Sequence, residues 1–157
     1  MAEPYLLDIN ILRFALETKD KHDNQSVDAA MLVSTLYEIC HEIVMTIKDD
    51  SLIKKFIATE MTRNTGSYIV TKLLQVVSVS DSKYRVSDKE VDLEHPRQIP
   101  RKDIYLAKTA KAEGISLITE DERLCDAINA SMEFNEIGIR AYNVKEMLSK
   151  LGFFSTR

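Results

Sequence analysis

The chain has 157 residues, 45% of them apolar and 29% charged, a balance that suits one globular domain spanning 1–157 and excludes a disordered segment. The formal charge of -4 excludes a protein that binds nucleic acid through its whole surface, although a local basic strip can still meet phosphate. Four glycines, three prolines and no tryptophan favour a helix-rich chain over a turn-rich β sandwich.

Pro4 to Leu7 is a short apolar run that predicts a buried first strand ending at Asp8. Asn10 to Glu17 predicts a brief helix with Ile11, Leu12, Ala15 and Leu16 on one side. Thr18 to Ser26 is a polar loop, and Ser26 is suited to cap the next helix. From Val27 to Lys48, Ala30, Val33, Leu36, Tyr37, Cys40, Ile43, Val44 and Ile47 recur at helical spacing, which predicts one long helix. Ser51 opens another helical stretch through Leu52, Ile53, Phe56, Ile57 and Met61, interrupted between Arg63 and Ser67 by a segment containing Gly66. Ile69 to Val79 reads as helix in its first half and has strand composition at Val76–Val79. Ser80 to Gln98 is polar and aperiodic, a loop with room for a short strand or turn, ended by Ile99 and Pro100.

The last third is the most legible. Arg101 to Glu113 predicts a helix stopped by Gly114, and Ile115 to Ile118 a strand. Thr119-Glu120-Asp121-Glu122 has the form of a capping box opening a helix to about Ala130. Ile137 to Tyr142 predicts a further strand, and Asn143 opens a closing helix to about Leu151. Short apolar strands alternating with helices predict an α/β fold: a mostly parallel central sheet flanked by helices, in three layers.

Four acids stand where apolar runs give way to helix-forming stretches: Asp8, Glu38, Asp103 and Asp121. In a parallel α/β fold, ligands bind outside the carboxyl ends of the strands, and acids at those ends tend to cluster there. Each of Asp8, Asp103 and Asp121 has a plain alternative as a first-turn acid at the positive end of a helix dipole. Glu38 lies inside a helical run with no such role, and Glu42, one turn on, is its rival. Acids gathered without a cation repel one another, so the cluster points to Mg²⁺ or Mn²⁺, which prefer oxygen ligands. Such a site suits phosphodiester hydrolysis. Arg97, Arg101, Lys102, Lys108 and Lys111 surround the Asp103 helix; Arg101 and Lys102 are candidates to meet phosphate, and Tyr105 could stack on a base or serve the core.

Cys40 and Cys125 read as buried thiols of a reducing compartment, and His22, His41 and His95 have no zinc-ligand spacing. With no leader-like start and no apolar run of membrane length, a cytoplasmic protein with no membrane association is expected. A phosphoacceptor receiver domain also gathers acids at strand ends, but it needs adjacent acids after the first strand, and Asp8 is flanked by Leu7 and Ile9.

Leu6-Leu7-Asp8-Ile9-Asn10, Ser34-Thr35-Leu36-Tyr37-Glu38, the Asp103-Ile104-Tyr105-Leu106-Ala107-Lys108-Thr109-Ala110 helix and Leu117-Ile118-Thr119-Glu120-Asp121 resemble, in order, the motifs of PIN-domain ribonucleases over residues 4 to 125. The resemblance implies a PIN-like fold and a metal-dependent endoribonuclease site of Asp8, Glu38, Asp103 and Asp121 around Mg²⁺ or Mn²⁺, with Asn10 and Thr119 in support. It implies single-stranded RNA as substrate, an antitoxin protein as partner if the chain is the toxin of a toxin–antitoxin pair, and a homodimer. The alternative is a non-catalytic PIN-like RNA-binding or scaffold protein. Two features depart from the family pattern: Ile9 stands where a small hydroxyl residue is common, and the polar segment from Asp81 to Gln98 is long.

Overall fold

Residues 3–39, 41–63, 71–75 and 83–153 are described by the computed structural model. Their five strands are β1 (Pro4–Leu7), β2 (Glu42–Thr46), β3 (Tyr84–Ser87), β4 (Ser116–Ile118) and β5 (Ala141–Tyr142). They form one sheet in the order β3-β2-β1-β4-β5, with every adjacent pair parallel. The helices are α1 (Ile9–Glu17), α2 (Asp28–Glu38), α3 (Ile47–Arg63), α4 at 71–75, α5 (Ile104–Glu113), α6 (Glu122–Ala130), α7 (Met132–Asn135) and α8 (Val144–Lys150). Single 3-10 turns at Pro96–Gln98 and Arg101–Asp103 lead into α5.

The sheet is buried on both faces, which is why its central strands are apolar throughout rather than alternating. Tyr5, Leu7, Ile43, Met45 and Ile118 pack into the layer that holds α1, α2, α3, α4 and α8. Their strand neighbours Leu6, Val44 and Leu117 point the other way, into the layer of α5, α6 and α7. The α/β expectation of three layers around a parallel sheet is met. Leu6, Val44 and Leu117 lie side by side in register and are fully buried. Truncating one such side chain to alanine costs about 2–5 kcal/mol.

Several boundaries differ from expectation. The long helix expected over Val27–Lys48 is three elements: α2 ends at Glu38, β2 occupies Glu42–Thr46, and α3 begins at Ile47 rather than Ser51. A run such as Ile43-Val44-Met45 fits a helix interior or a doubly buried strand equally well, and sheet pairing decided it. The polar stretch after Ser80 contains β3, which pairs with β2, and it sends Leu93 and Ile99 into the core. The strand expected over Ile137–Tyr142 is confined to Ala141–Tyr142. Cys40 and Val76–Val79 lie outside the described residues.

Helix ends follow local chemistry. Ser26 does not take the cap position expected of it: Val27 is the N-cap of α2 and makes no side-chain cap bond, while Ser26 Oγ, one residue earlier, accepts the Asp28 N–H at 3.3 Å. Asn143 and Glu146 form a reciprocal capping box at the start of α8. The box expected at Thr119–Glu122 does not form; Asp121 caps α6 instead.

Candidate functional site

Strand order reverses between β1 and β4: the chain moves outward from β1 to β2 and β3, then crosses back to β4 and β5. The crevice outside the carboxyl ends of two such strands is where open α/β sheets bind ligands. Leu7 pairs with Ile118, so Asp8 and Thr119 emerge side by side at that crevice.

Asp8 is 3% exposed and caps α1, its Oδ1 accepting the Asn10 N–H at 3.2 Å. Its Oδ2 accepts the Thr119 hydroxyl at 2.8 Å. Thr119 Oγ1 in turn accepts the Asp121 N–H at 3.1 Å, so one buried hydroxyl joins the ends of both strands. That double engagement removes Thr119 from helix capping. Asp121 Oδ1 takes over, accepting the N–H groups of Arg123 and Leu124 at 3.0 and 3.2 Å. Asp121 Oδ2 faces Lys102 Nζ at 3.5 Å. Asp103, at the end of a 3-10 turn, brings a buried Oδ2 that no donor group among the described residues reaches. Its carboxyl can share a proton with that of Asp121.

The electrostatics record this crowding. Burial pushes the Asp8 carboxyl above its usual range, with Thr119 and the Asn10 amide opposing. Burial and then the Asp121 carboxylate push Asp103 up to about 6. Asp121 moves the opposite way: burial raises it, but the Leu124 amide, Asp103 and Lys102 together outweigh that and hold it low. One acid of the pair is therefore readily ionised and the other readily protonated, as two close carboxyls require.

Asp49 is a member that the sequence pattern did not reveal. It sits in the first turn of α3, just beyond the carboxyl end of β2, and is fully buried. Its Oδ2 accepts the Ile9 N–H at 3.3 Å and its Oδ1 the Tyr105 hydroxyl at 2.8 Å. Burial, with Asp8 nearby, pushes its carboxyl up to about 6. Tyr105 thus serves as a donor to Asp49, and Lys48 Nζ lies 4.2 Å from the centre of its ring. The signal in the sequence was a strand followed by an acid, the same rule that identifies Asp8; the helical spacing over Val27–Lys48 as a whole concealed it.

Glu38 is not part of the cluster, which corrects the sequence expectation. It ends α2 before the amino end of β2, is exposed, and pairs with Lys72 at 3.6 Å. Glu42 opens β2 opposite Pro4 and pairs with Arg85 at 3.0 Å, so it too lies at the amino edge of the sheet. Once β2 is a strand, both acids fall on the wrong side of it. Asn10 contributes its backbone N–H to Asp8, while its exposed side chain makes no hydrogen bond among the described residues. Of the basic residues, Lys108 pairs with Asp92 at 3.9 Å and Lys111 with buried Glu133 at 2.6 Å. Arg101 lines an adjoining cleft.

Among the described residues, no three His, Cys, Asp or Glu side chains are already grouped tightly enough to hold one ion. The donor chemistry nevertheless fits a hard divalent cation: oxygen donors alone, with the unpartnered Oδ2 of Asp103 among them. Closing Asp8, Asp103 and Asp121 around an ion requires side-chain movement. Comparison of the chain with protein-family models, curated proteins and solved structures finds no match.

Proposed function

We propose that the protein is a divalent-cation-dependent nuclease that hydrolyses phosphodiester bonds of single-stranded RNA. The observation that carries this reading is the convergence of Asp8, Asp103 and Asp121 on the β1/β4 crevice, with an unpartnered carboxylate oxygen among them. Asp8, Asp103 and Asp121 are the residues that would hold Mg²⁺ or Mn²⁺. What such a cation would supply there is a lowered pKa for water and an offset to charge on a phosphoryl oxygen. Thr119 keeps Asp8 oriented through its hydroxyl, and Tyr105 does the same for Asp49. Lys102, largely exposed beside Asp121, offers an ammonium to a non-bridging phosphate oxygen.

The resemblance to PIN-domain ribonucleases supports the choice of RNA and extends the proposal to a cytoplasmic enzyme, a homodimer and, for a toxin, an antitoxin partner. Among the described residues no helix is long and apolar enough to cross a membrane. The non-catalytic alternative, an RNA-binding or scaffold protein, draws on the absence of a ready-made ligand set among the described residues and on the capping roles of Asp8 and Asp121.

Two measurements on the same preparation separate these readings: melting temperature during Mn²⁺ titration, and cleavage of labelled single-stranded RNA with and without EDTA. The nuclease reading expects Mn²⁺ to stabilise the fold, by about 2.7 kcal/mol at a hundredfold excess over Kd. It also expects cleavage to be abolished by EDTA and by Asp8→Asn. A parent protein that neither binds Mn²⁺ nor cuts RNA or DNA would replace it with the scaffold reading.

A further inference from the structure

Beside the acids runs a cleft of about 620 Å³, lined by Pro96 to Arg101, Ile104 and Arg123. Its volume falls within the range of roughly 300–1,000 Å³ common to ligand clefts. Three arginines line it, Arg97, Arg101 and Arg123, and no acidic residue does. Among the described residues none of the three side chains is in a hydrogen bond or an ion pair. The acid nearest in sequence to Arg123 is turned elsewhere, since Glu122 Oε1 accepts from Lys21 Nζ at 2.6 Å. Elsewhere in the protein, Lys19, Lys54, Arg85 and Lys111 all pair with carboxylates. Three unneutralised arginines around one cleft are thus a local reversal of the chain's net negative charge.

The cleft is joined to the acid cluster through the backbone. Arg101 begins the 3-10 turn that Asp103 ends, and the Arg123 N–H donates to Asp121 Oδ1. We propose that this cleft is a phosphate subsite, in which Arg97, Arg101 and Arg123 bind backbone phosphates of single-stranded nucleic acid next to the bond presented to the acids. This assignment rests on the nuclease reading for its direction, but its arginines are testable separately. Guanidinium forks match phosphate oxygens in bidentate geometry, which favours phosphate over a simple counterion. An acidic peptide would use the arginines and then meet the carboxylates of Asp103 and Asp121. A nucleic-acid strand uses both surfaces when those carboxylates hold a cation.

The test is fluorescence anisotropy of a labelled single-stranded RNA of about twelve nucleotides. It is measured in EDTA and in Ca²⁺ over a range of salt, with cleavage followed separately in Mn²⁺. The parent is compared with Arg97→Ala, Arg101→Ala and Arg123→Ala singly and combined, and with Arg140→Ala, which removes one charge just before the amino end of β5. The combined variant is expected to bind on the order of 10–100-fold more weakly, and its log–log salt slope to be shallower by about 2, from about 0.7 per phosphate contact on a single strand. Arg140→Ala is expected to match the parent. The single variants carry the test if the combined one does not fold.

Equal affinity and equal salt slope in the arginine variants would overturn the subsite while leaving the nuclease reading to stand on Mn²⁺-dependent cleavage. Arginine-dependent binding by a parent that never cleaves would keep the subsite and remove the nuclease. Failure of the parent to bind RNA, or its preference for a polyglutamate peptide, would overturn the subsite in favour of an acidic partner.

Discussion

The Thr119 hydroxyl donates to Asp8 Oδ2 at 2.8 Å across 111 residues of sequence and accepts the Asp121 N–H, so it ties the carboxyl ends of β1 and β4 together. Thr119→Val keeps the shape and removes both bonds, leaving buried Asp8 with one donor fewer. Urea denaturation at pH 7 is expected to show a loss of about 1–3 kcal/mol, with Thr119→Ser close to the parent. Equal stability of the valine variant would show that water replaces the hydroxyl.

Asp49 gives a pH dependence of definite sign. Its folded carboxyl is raised to about 6 from an ordinary 3.8, so between those values the folded state binds more protons than the unfolded state. Its unfavourable contribution therefore grows as pH rises from 4 to 6 and is complete at pH 7. Asp49→Asn removes that cost but also one acceptor, because the Ile9 N–H and the Tyr105 hydroxyl bond different oxygens. The variant is expected to be more stable than the parent at pH 7 by roughly 1–2 kcal/mol, with the difference shrinking towards pH 4. Melting curves across that range check it, and a gap that widens in acid would refute it.

Cleavage assays should rank the acids by place in the fold. Asp8→Asn, Asp103→Asn and Asp121→Asn are each expected to lose about a hundredfold or more in rate. Glu38→Gln, on the far side of β2, is expected to stay within about twofold of the parent. A Glu38→Gln variant as inactive as Asp8→Asn would mean that the cluster is drawn around the wrong acids.

Lys111 and Lys108 look alike in sequence but differ in burial. Lys111 pairs at 2.6 Å with Glu133, whose side chain is 3% exposed and also accepts the Glu94 and His95 N–H groups at 2.7 and 3.4 Å. Lys108 meets a fully exposed Asp92 at 3.9 Å. Lys111→Ala strands a buried carboxylate and is expected to cost about 2–4 kcal/mol, against less than about 0.5 kcal/mol for Lys108→Ala. Chemical denaturation of the two variants side by side gives the comparison.

What the sequence determined by itself were features carried by neighbours a few residues apart. The first strand and the Asp8 that ends it, the α1 core positions Ile11, Leu12, Ala15 and Leu16, the Gly114 stop and the Asn143 cap are all local chemistry, and each is found where its pattern put it. Three of the four expected acids come together because the parallel α/β rule carries strand ends to one edge.

Tertiary structure decided the rest. Ile43-Val44-Met45 has no period of its own, and pairing with both β1 and β3 made it a strand. That single pairing moved Glu38 and Glu42 to the amino edge of the sheet and brought Asp49 to the carboxyl edge. Thr119 was drawn from a helix cap to a carboxylate 111 residues away, because a buried Asp8 needs a donor more than an exposed helix end does. A short apolar run does not state which neighbours it will have, and in a parallel sheet those neighbours decide which side of the strand meets the ligand.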